Sequence, residues 1–327
     1  MTNKIKWGIL GLGKIASKFA SDLQLSADSV LYGVASRSLE KANDFKAKYN
    51  AVKAFGTYEE LAKDPEVDVV YIATPHALHY SNTMLCLENG KAVLCEKPLG
   101  LHAFEAQTMV AKAAEKNLFL MEGLWTRFIP ATEKLIQLLA EKAIGDIVFV
   151  QADFGFKPPF DPHGRIYNKS LGGGSLLDIG IYPIYLSMLA LGQPKSIQAT
   201  ARLNNTGIDT FCALLFDYPN GAKAVLQSTF EATTPTEATI FGSEGFIKMH
   251  APFHHTQKLT LHRYSEPEQL FNLPIIGEGY LHEIEEVVAC IQNGQTQSSK
   301  HPHSVSLHLS NVLEAVKQRI GLNYATF

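Results

Sequence analysis

The chain has 327 residues, of which 46% are hydrophobic and 19% charged, and a formal net charge of -3. That length suits two ordinary domains and that apolar share suits a packed core, which sets aside a disordered chain. No long Lys/Arg run provides the basic stripe that nucleic acid or an anionic membrane surface would need, so small molecules are the expected partners.

Lys4 and Lys6 lead straight into the strand-like Trp7-Gly8-Ile9-Leu10, and no export signal is expected. Cys86, Cys95, Cys212 and Cys290 are scattered, with neither a disulfide framework nor a C-x-x-C pattern, which fits a reducing cytoplasm. Over residues 1–122, short β-branched runs alternate with helical patterns: strands at 6–10, 30–35, 67–73, 92–95 and 119–122, and helices at 14–25, 39–49, 77–89 and 103–116. Thr57 and Glu60 form a capping box that opens a further short helix. The alternation predicts an α/β unit, a Rossmann doubly wound parallel sheet that binds a dinucleotide.

Residues 123–327 predict a second, α+β domain, with helices at 129–141, 175–191, 280–293 and 305–320. Its strands fall at 147–156, 195–203, 210–218, 222–231, 237–242 and 258–263. Strands that follow one another without helices predict an open, mostly antiparallel sheet, and Pro219-Asn220-Gly221 supplies a turn. The stretch 174–192 is apolar enough to resemble a membrane span, but Asp178 and Pro183 interrupt it, so a buried helix is expected.

Gly11-Leu12-Gly13-Lys14-Ile15-Ala16 reads G-x-G-x-x-A between the first strand and the first helix. Gly11 permits the tight turn, Gly13 lets the backbone approach a pyrophosphate, and Ala16 allows close helix packing, with the helix amides facing the phosphate. At the end of the second strand stands Ser36-Arg37-Ser38, where an NAD enzyme usually places a carboxylate. A fixed positive charge there favours a 2′-phosphate, hence NADP.

Glu96-Lys97-Pro98 follows the strand at 92–95, at the carboxyl edge where such sheets bind ligands, although spacing alone fits an ordinary exposed lysine equally well. Gly172-Gly173-Gly174 precedes a segment in which Asp178 and Tyr182, four apart, share a helix face. The glycines would admit close approach of a backbone or a ligand. No metal is expected, because His250, His254, His255 and the run His282-Glu283-Ile284-Glu285-Glu286 match no ligand spacing and read as loop or helix surface.

Taken together, Gly11-x-Gly13-x-x-Ala16, Thr74-Pro75-His76, Glu96-Lys97-Pro98 and Asp178-x-Gly180-x-Tyr182 resemble the Gfo/Idh/MocA (glucose-fructose oxidoreductase) family over nearly the whole chain. Trp125-Thr126-Arg127-Phe128, Tyr182 and a Gly321-Leu322-x-Tyr324 tail are most similar to its branch of dimeric dihydrodiol dehydrogenases and NADP-dependent D-xylose dehydrogenases. Many members carry His where Tyr182 stands and Asp where Tyr185 stands, so inositol-dehydrogenase-like chemistry is disfavoured. The resemblance implies a hydride transfer between NADP and a hydroxyl-bearing carbon of a sugar or a cyclic trans-dihydrodiol, with Lys97 and Tyr182 converging near the nicotinamide. A free phenol releases its proton only near about pH 10, so Tyr182 needs the Lys97 ammonium to serve as base; in the rival assignment Lys97 is the acid/base and Tyr182 positions substrate. Asp178 would accept from a substrate hydroxyl or orient Lys97.

Glu96, Thr74, Pro75, His76 and His79 would border the cofactor, and Trp125, Arg127 and Phe154, with Phe156 and Phe160 nearby, would wall the substrate. The resemblance also implies a homodimer through the open sheet face. Two alternatives are a non-catalytic NADP-sensing regulator, against which the intact Lys97, Asp178 and Tyr182 argue, and an aldose-ketose oxidoreductase with tightly held cofactor.

Overall fold

A computed structural model describes residues 4–325. The chain divides into two compact units, the first running to Phe128 and including Ile276–Leu307, the second comprising Ile129–Ile275 and the chain from His308. The expected boundary lies at residue 122, where the sequence pattern changes; packing adds a discontinuity, because 276–307 returns to the first unit.

In the first unit, β1 (Ile5–Leu10), β2 (Ser29–Ala35), β3 (Lys53–Phe55), β4 (Val69–Ile72), β5 (Ala92–Glu96) and β6 (Leu120–Gly123) form a parallel sheet. The strand order is 3-2-1-4-5-6. β4 and β5 are buried along their whole length, as strands covered on both faces must be, which is why their sequences show apolar runs rather than alternation. The crossovers are α1 (Lys14–Leu23), α2 (Leu39–Tyr49), α3 (Tyr58–Lys63), α4 (His79–Glu88) and α5 (Ala103–Lys116). β3 is missing from the sequence expectation: three residues, none fully buried, show no period. Thr57 does cap α3, accepting from the Glu60 amide at 3.2 Å, while Glu60 reaches back to the Gly56 amide at 3.1 Å.

The returning segment carries α8 (Leu281–Gln292). Its start leaves amides unpaired, and the carboxylate of Asp22 on α1 accepts from those of Glu278 (2.8 Å), Tyr280 (2.8 Å) and Leu281 (3.2 Å). The edge strand β6 is also bonded to this segment, through Leu120 N to Thr296 O (3.1 Å) and His303 Nε2 to Leu120 O (2.9 Å).

The second unit holds α6 (Pro130–Ala140), β7 (Ile147–Gly155), a π-helical turn (Leu176–Gly180) running into α7 (Ile181–Leu191), and β8 (Ser196–Leu203). Then follow β9 (Asp209–Asp217), β10 (Lys223–Thr229), β11 (Ala238–Gly242), β12 (Gly245–Met249), β13 (Lys258–Arg263) and β14 (Gln269–Asn272). α9 (His303–Ile320) lies mostly in this unit. The eight strands form one sheet in the order 14-13-12-11-7-10-9-8, antiparallel throughout except for the β7–β10 pair. β12 and β14 are missing from the sequence expectation: β12 follows β11 after only Ser243-Glu244, with no strong turn signal, and β14 is a short, mainly exposed edge.

Pro183 falls in the first turn of α7, where its missing N–H is not needed. The apolar stretch Lys169–Leu191 is long and apolar enough to cross a membrane by composition, and 83% of its most apolar window is buried inside the protein, as the buried-helix expectation requires. All four cysteines are buried and unpaired.

Asp22→Ala should strand three amides at a buried helix start. Urea denaturation should show unfolding free energy reduced by about 1–3 kcal/mol; an unchanged midpoint would show that the Asp22 contacts do not hold the returning segment.

Candidate active site

The candidate cofactor half is built on the carboxyl ends of β1, β2, β4 and β5. The strand order reverses between β1 and β4, which opens a crevice at those ends. Gly11 follows β1 with φ of +86°, and a Cβ on it would meet Ala73 O and Thr74 N at 2.9 Å. Gly13 begins α1, and a Cβ there would project into open space. The α1 N-terminus has no side-chain cap and no acidic residue in its first turn. A space beside free amides of positive polarity fits a pyrophosphate. Leu12 is buried, so its contribution to this cradle is backbone, while Lys14 is exposed and Ile15 half-buried. Ala16 is fully buried, as its packing role demands.

At the end of β2, Ser36 is buried and accepts from the Ser38 amide (3.3 Å), while Ser38 caps α2 through the Lys41 amide (3.3 Å). Arg37 is exposed, and its charge is felt by Tyr58: burial raises that phenol, and Arg37 opposes the rise.

Lys97 follows Glu96 at the end of β5, half-buried, and is joined to Pro98 by a cis peptide bond. Two buried side chains hold this loop. Glu122 Oε1 accepts from the Leu99 amide at 2.8 Å. The His79 ring sits 2.7 Å from Pro98 O through Nδ1 and 2.9 Å from Thr74 O through Nε2. The sequence expectation places His79 at the cofactor; in the structure it is fully buried and ties the Thr74-Pro75 turn to the Lys97-Pro98 turn. Burial pushes its pKa down, while the two carbonyls favour the proton. Thr74 is fixed further by Asn82 Nδ2 on its hydroxyl (3.0 Å), and His76, 8% exposed, lies with its ring 5.6 Å from that of His79.

Glu96 itself accepts from the buried Tyr71 hydroxyl. Glu283 on α8 is fully buried, with no hydrogen-bond partner for either carboxyl oxygen. Burial first, then the charges of Glu96 and Asp22, push its pKa well above the ordinary value, which favours the protonated form. Trp125 and Arg127 also belong to this unit: Trp125 stacks on Tyr280 (4.9 Å between centroids) and Arg127 Nε donates to Lys300 O (2.9 Å).

The candidate substrate half lies in the second unit. Asp178 sits in the π-helical turn and Tyr182 in the first turn of α7, both buried. The Tyr182 ring lies 5.9 Å from Phe154 and 4.9 Å from His254, and His254 stacks on Phe154 at 4.4 Å. His254 Nε2 is 2.9 Å from His255 Nδ1. Asp178 Oδ1 accepts from Arg165 Nη1 at 2.9 Å. Phe160 does not join these rings; it is exposed and packs edge-on against Tyr167. Two of the three glycines are filled by the protein itself: a Cβ on Gly173 would strike Ile166 O at 2.6 Å, and one on Gly174 would strike Asp209 Oδ1 at 2.3 Å.

Sequence reasoning missed Glu122, Arg165 and the buried placement of His254. A lone charge closing the apolar run Leu120-Met121-Glu122 was the available signal for the first. His254 was expected in a loop or on a helix surface and is buried, while Arg165 lies in an irregular loop with no pattern. Among the described residues, no group of three or more His, Cys, Asp or Glu side chains is placed to hold a metal.

A parallel sheet with a glycine cradle at its switch point, followed by a second unit with a large mixed sheet, defines a dinucleotide-dependent oxidoreductase. Residues 5–124 match the model described as the oxidoreductase family with NAD-binding Rossmann fold, and residues 132–248 match the GFO/IDH/MocA C-terminal domain; the chain belongs to the GFO/IDH/MocA family. It is 37% identical to trans-1,2-dihydrobenzene-1,2-diol dehydrogenase of Xenopus tropicalis (98% of this chain, 99% of that one). Its identity to the Homo sapiens enzyme of that name is 36%, covering 98% of both. Among solved structures, a 3-ketoreductase from Actinomadura kijaniata in complex with NADP and TDP-benzene is similar at TM-score 0.87 and 27% identity, over 97% of this chain and 98% of that one. An aldose-aldose oxidoreductase from Caulobacter crescentus shares the fold at TM-score 0.88 and 24% identity, over 97% of both chains.

Gly11→Ala should force a side chain into a left-handed backbone against Ala73 O and Thr74 N. Titration of nicotinamide cofactor by fluorescence should show affinity lowered by about tenfold or more; binding equal to that of the unaltered protein would remove Gly11 from the cradle.

Proposed function

We propose that the protein is an NADP-dependent dehydrogenase that oxidises a hydroxyl-bearing carbon of a cyclic trans-dihydrodiol or a sugar such as D-xylose. The observation that carries this is the placement of Tyr182 and Asp178 on one buried helical stretch among aromatic rings, in a chain nearly full-length similar to dihydrodiol dehydrogenases. Arg37 at the end of β2, exposed and with no carboxylate beside it in Ser36-Arg37-Ser38, supports NADP over NAD. The four unpaired thiols are in keeping with a reducing, cytoplasmic setting.

When bound, the nicotinamide supplies a hydride acceptor. On this reading the positive charge of Lys97 favours the phenolate form of Tyr182, which takes the hydroxyl proton of the substrate and becomes the neutral phenol as the hydride leaves the same carbon. Asp178, held by Arg165, accepts from a second substrate hydroxyl and orients the ring. The faces of Phe154 and His254 take the apolar face of a diol or sugar.

Tyr182→Phe should lower kcat by about a hundredfold or more while leaving KM nearly unchanged, followed at the reduced-nicotinamide absorbance with trans-1,2-dihydrobenzene-1,2-diol and D-xylose. A modest loss of kcat with a raised KM would instead make Lys97 the acid/base. Tight NADP binding without turnover of any diol, pentose or hexose would favour a sensing role. Arg37→Ala should raise KM for NADP+ by about tenfold or more and leave NAD+ nearly unaffected; equal effects on both would remove Arg37 from 2′-phosphate recognition.

A homodimer through the large sheet is part of the proposal. Leu215 and Val225, paired across β9 and β10, are each more than a third exposed, an apolar pair that a partner copy would cover. Light scattering should give twice the chain mass, and Val225→Lys should reduce it toward a single chain; a monomeric unaltered protein would refute the dimer.

A further inference from the structure

Asp209 is the buried titratable group of the second unit that the proposed chemistry does not use. It opens β9, is fully buried, and sends Oδ2 to the beginning of the π-helical turn, where it accepts from the Ser175 hydroxyl and the Leu176 amide, each at 2.7 Å. Ser175 Oγ also meets Ser228 Oγ of β10 at 3.0 Å. Oδ1 has no hydrogen-bond partner and lies against Gly174, whose φ of +130° and lack of a Cβ make room for it. Tyr324, whose hydroxyl donates to Gly173 O at 2.6 Å, closes the other side of the glycine run. One turn further on, Gly180 is pressed against Ser228, where a Cβ would meet Oγ at 2.8 Å. Asp178 and Tyr182 are carried by this same stretch.

We propose that Asp209 is a positioning residue: through Ser175 and the Leu176 amide it sets the turn that presents Asp178 and Tyr182. A carboxyl is an expensive group to place in a dry interior, and a merely structural cap at a helix start is ordinarily met by a local Ser, Thr, Asn or Asp in partial contact with water. Here the acceptor comes from a neighbouring strand, so the turn is anchored to the sheet rather than to its own flank. π-helical turns are rare and concentrate at functional sites, and the Leu176 amide, in the first turn of this one, finds its acceptor in Asp209 rather than in the helix.

The groups facing Asp209 are Ser175 and Leu176 from the turn, Ser228 from β10, Cys212 from its own strand and Tyr324 from the chain beyond α9, where the Lys317 ammonium lies 5.7 Å over the Tyr324 ring. Among these groups no cation bonds the carboxyl, and burial pushes Asp209 up to about 7 against the pull of its two donors. An acid held higher in the folded chain than in the unfolded chain stabilises the fold at low pH. That contribution fades as pH rises from the ordinary carboxylate range through about 7.

The inference rests on Tyr182 and Asp178 performing the chemistry, and the test separates the two. Hydrogen exchange of the 175–182 segment, measured by mass spectrometry, should be about tenfold faster or more in Asp209→Ala and close to unaltered in Asp209→Asn, whose amide oxygen accepts both bonds. Ser175→Ala, which removes one of them, should give an intermediate rate and serves if Asp209→Ala does not fold. With NADP+ and trans-1,2-dihydrobenzene-1,2-diol or D-xylose, kcat should fall about tenfold or more in Asp209→Ala and recover in Asp209→Asn, with KM for NADP+ held within about twofold. The melting temperature of the unaltered protein, relative to Asp209→Asn, should drop between pH 5 and pH 8.

Unchanged exchange in Asp209→Ala, or lost thermal stability with kcat intact, would overturn the positioning role. So would Asp209→Asn behaving like Asp209→Ala. Absence of turnover in every form, with exchange altered as expected, would sink the proposed function and leave Asp209 in its place.

Discussion

Regular backbone that stops leaves amides and carbonyls without partners, and the residues singled out for chemistry in this protein sit at such stops. How each orphan group is satisfied separates binding from positioning. At the start of α1 no side chain caps the helix, and the open space over Gly13 leaves its amides for a ligand to meet. At the Lys97 loop the protein meets them itself: Glu122 takes the Leu99 amide, and the His79 ring bridges the carbonyls of Pro98 and Thr74, one nitrogen against each. The first arrangement waits for an anion, whereas the second fixes the backbone around a lysine before anything binds.

Buried acids follow the same logic at a higher cost. A carboxylate in a dry interior is tolerable when donors or cations surround it, and otherwise it keeps its proton. Asp22 is surrounded by amides at the start of α8. Glu283, with no donor at either oxygen and the charges of Glu96 and Asp22 nearby, is pushed toward its neutral form. A neutral acid packs with little electrostatic penalty and leaves Glu96 free to accept from Tyr71. Two acids in one neighbourhood are thereby resolved into one acceptor and one proton carrier by their surroundings, with no change of residue type.

Much of the first unit was legible in the sequence because parallel strands covered on both faces are written as short apolar runs, and their crossover helices carry a clear period. The bounds of α2 and α5 match the expected ones, since the αL residues Asn50 and Asn117 stop both helices cleanly. β3 and β14 were illegible because short strands at sheet edges need neither burial nor alternation. The return of 276–307 was illegible for another reason: Asp22 and the amides it serves are more than 250 residues apart, a pairing no local pattern encodes. Of the candidate site, Gly11 could be marked by backbone geometry and Asp178 and Tyr182 by helical spacing, whereas Lys97, which spacing alone leaves as an ordinary lysine, was marked by the family resemblance. Glu122, Arg165 and His254 could not, because their value lies in what they touch.

His254 shows why contact outweighs type. Sequence spacing tested it as a metal ligand and left it at the surface, yet its ring packs against those of Phe154 and Tyr182, which also touch each other, and behaves as a flat, partly polar wall. On the proposed function, such a wall by itself discriminates little, since ring faces accept the C–H face of a sugar and of a cyclic diol alike. Discrimination then falls to the polar groups: Arg165 fixes the Asp178 carboxylate, and a hydroxyl that misses that acceptor leaves a buried charge poorly satisfied. Affinity would come from the aromatic faces and selectivity from the ion pair, so residues that look alike in burial would differ in which term of recognition they control.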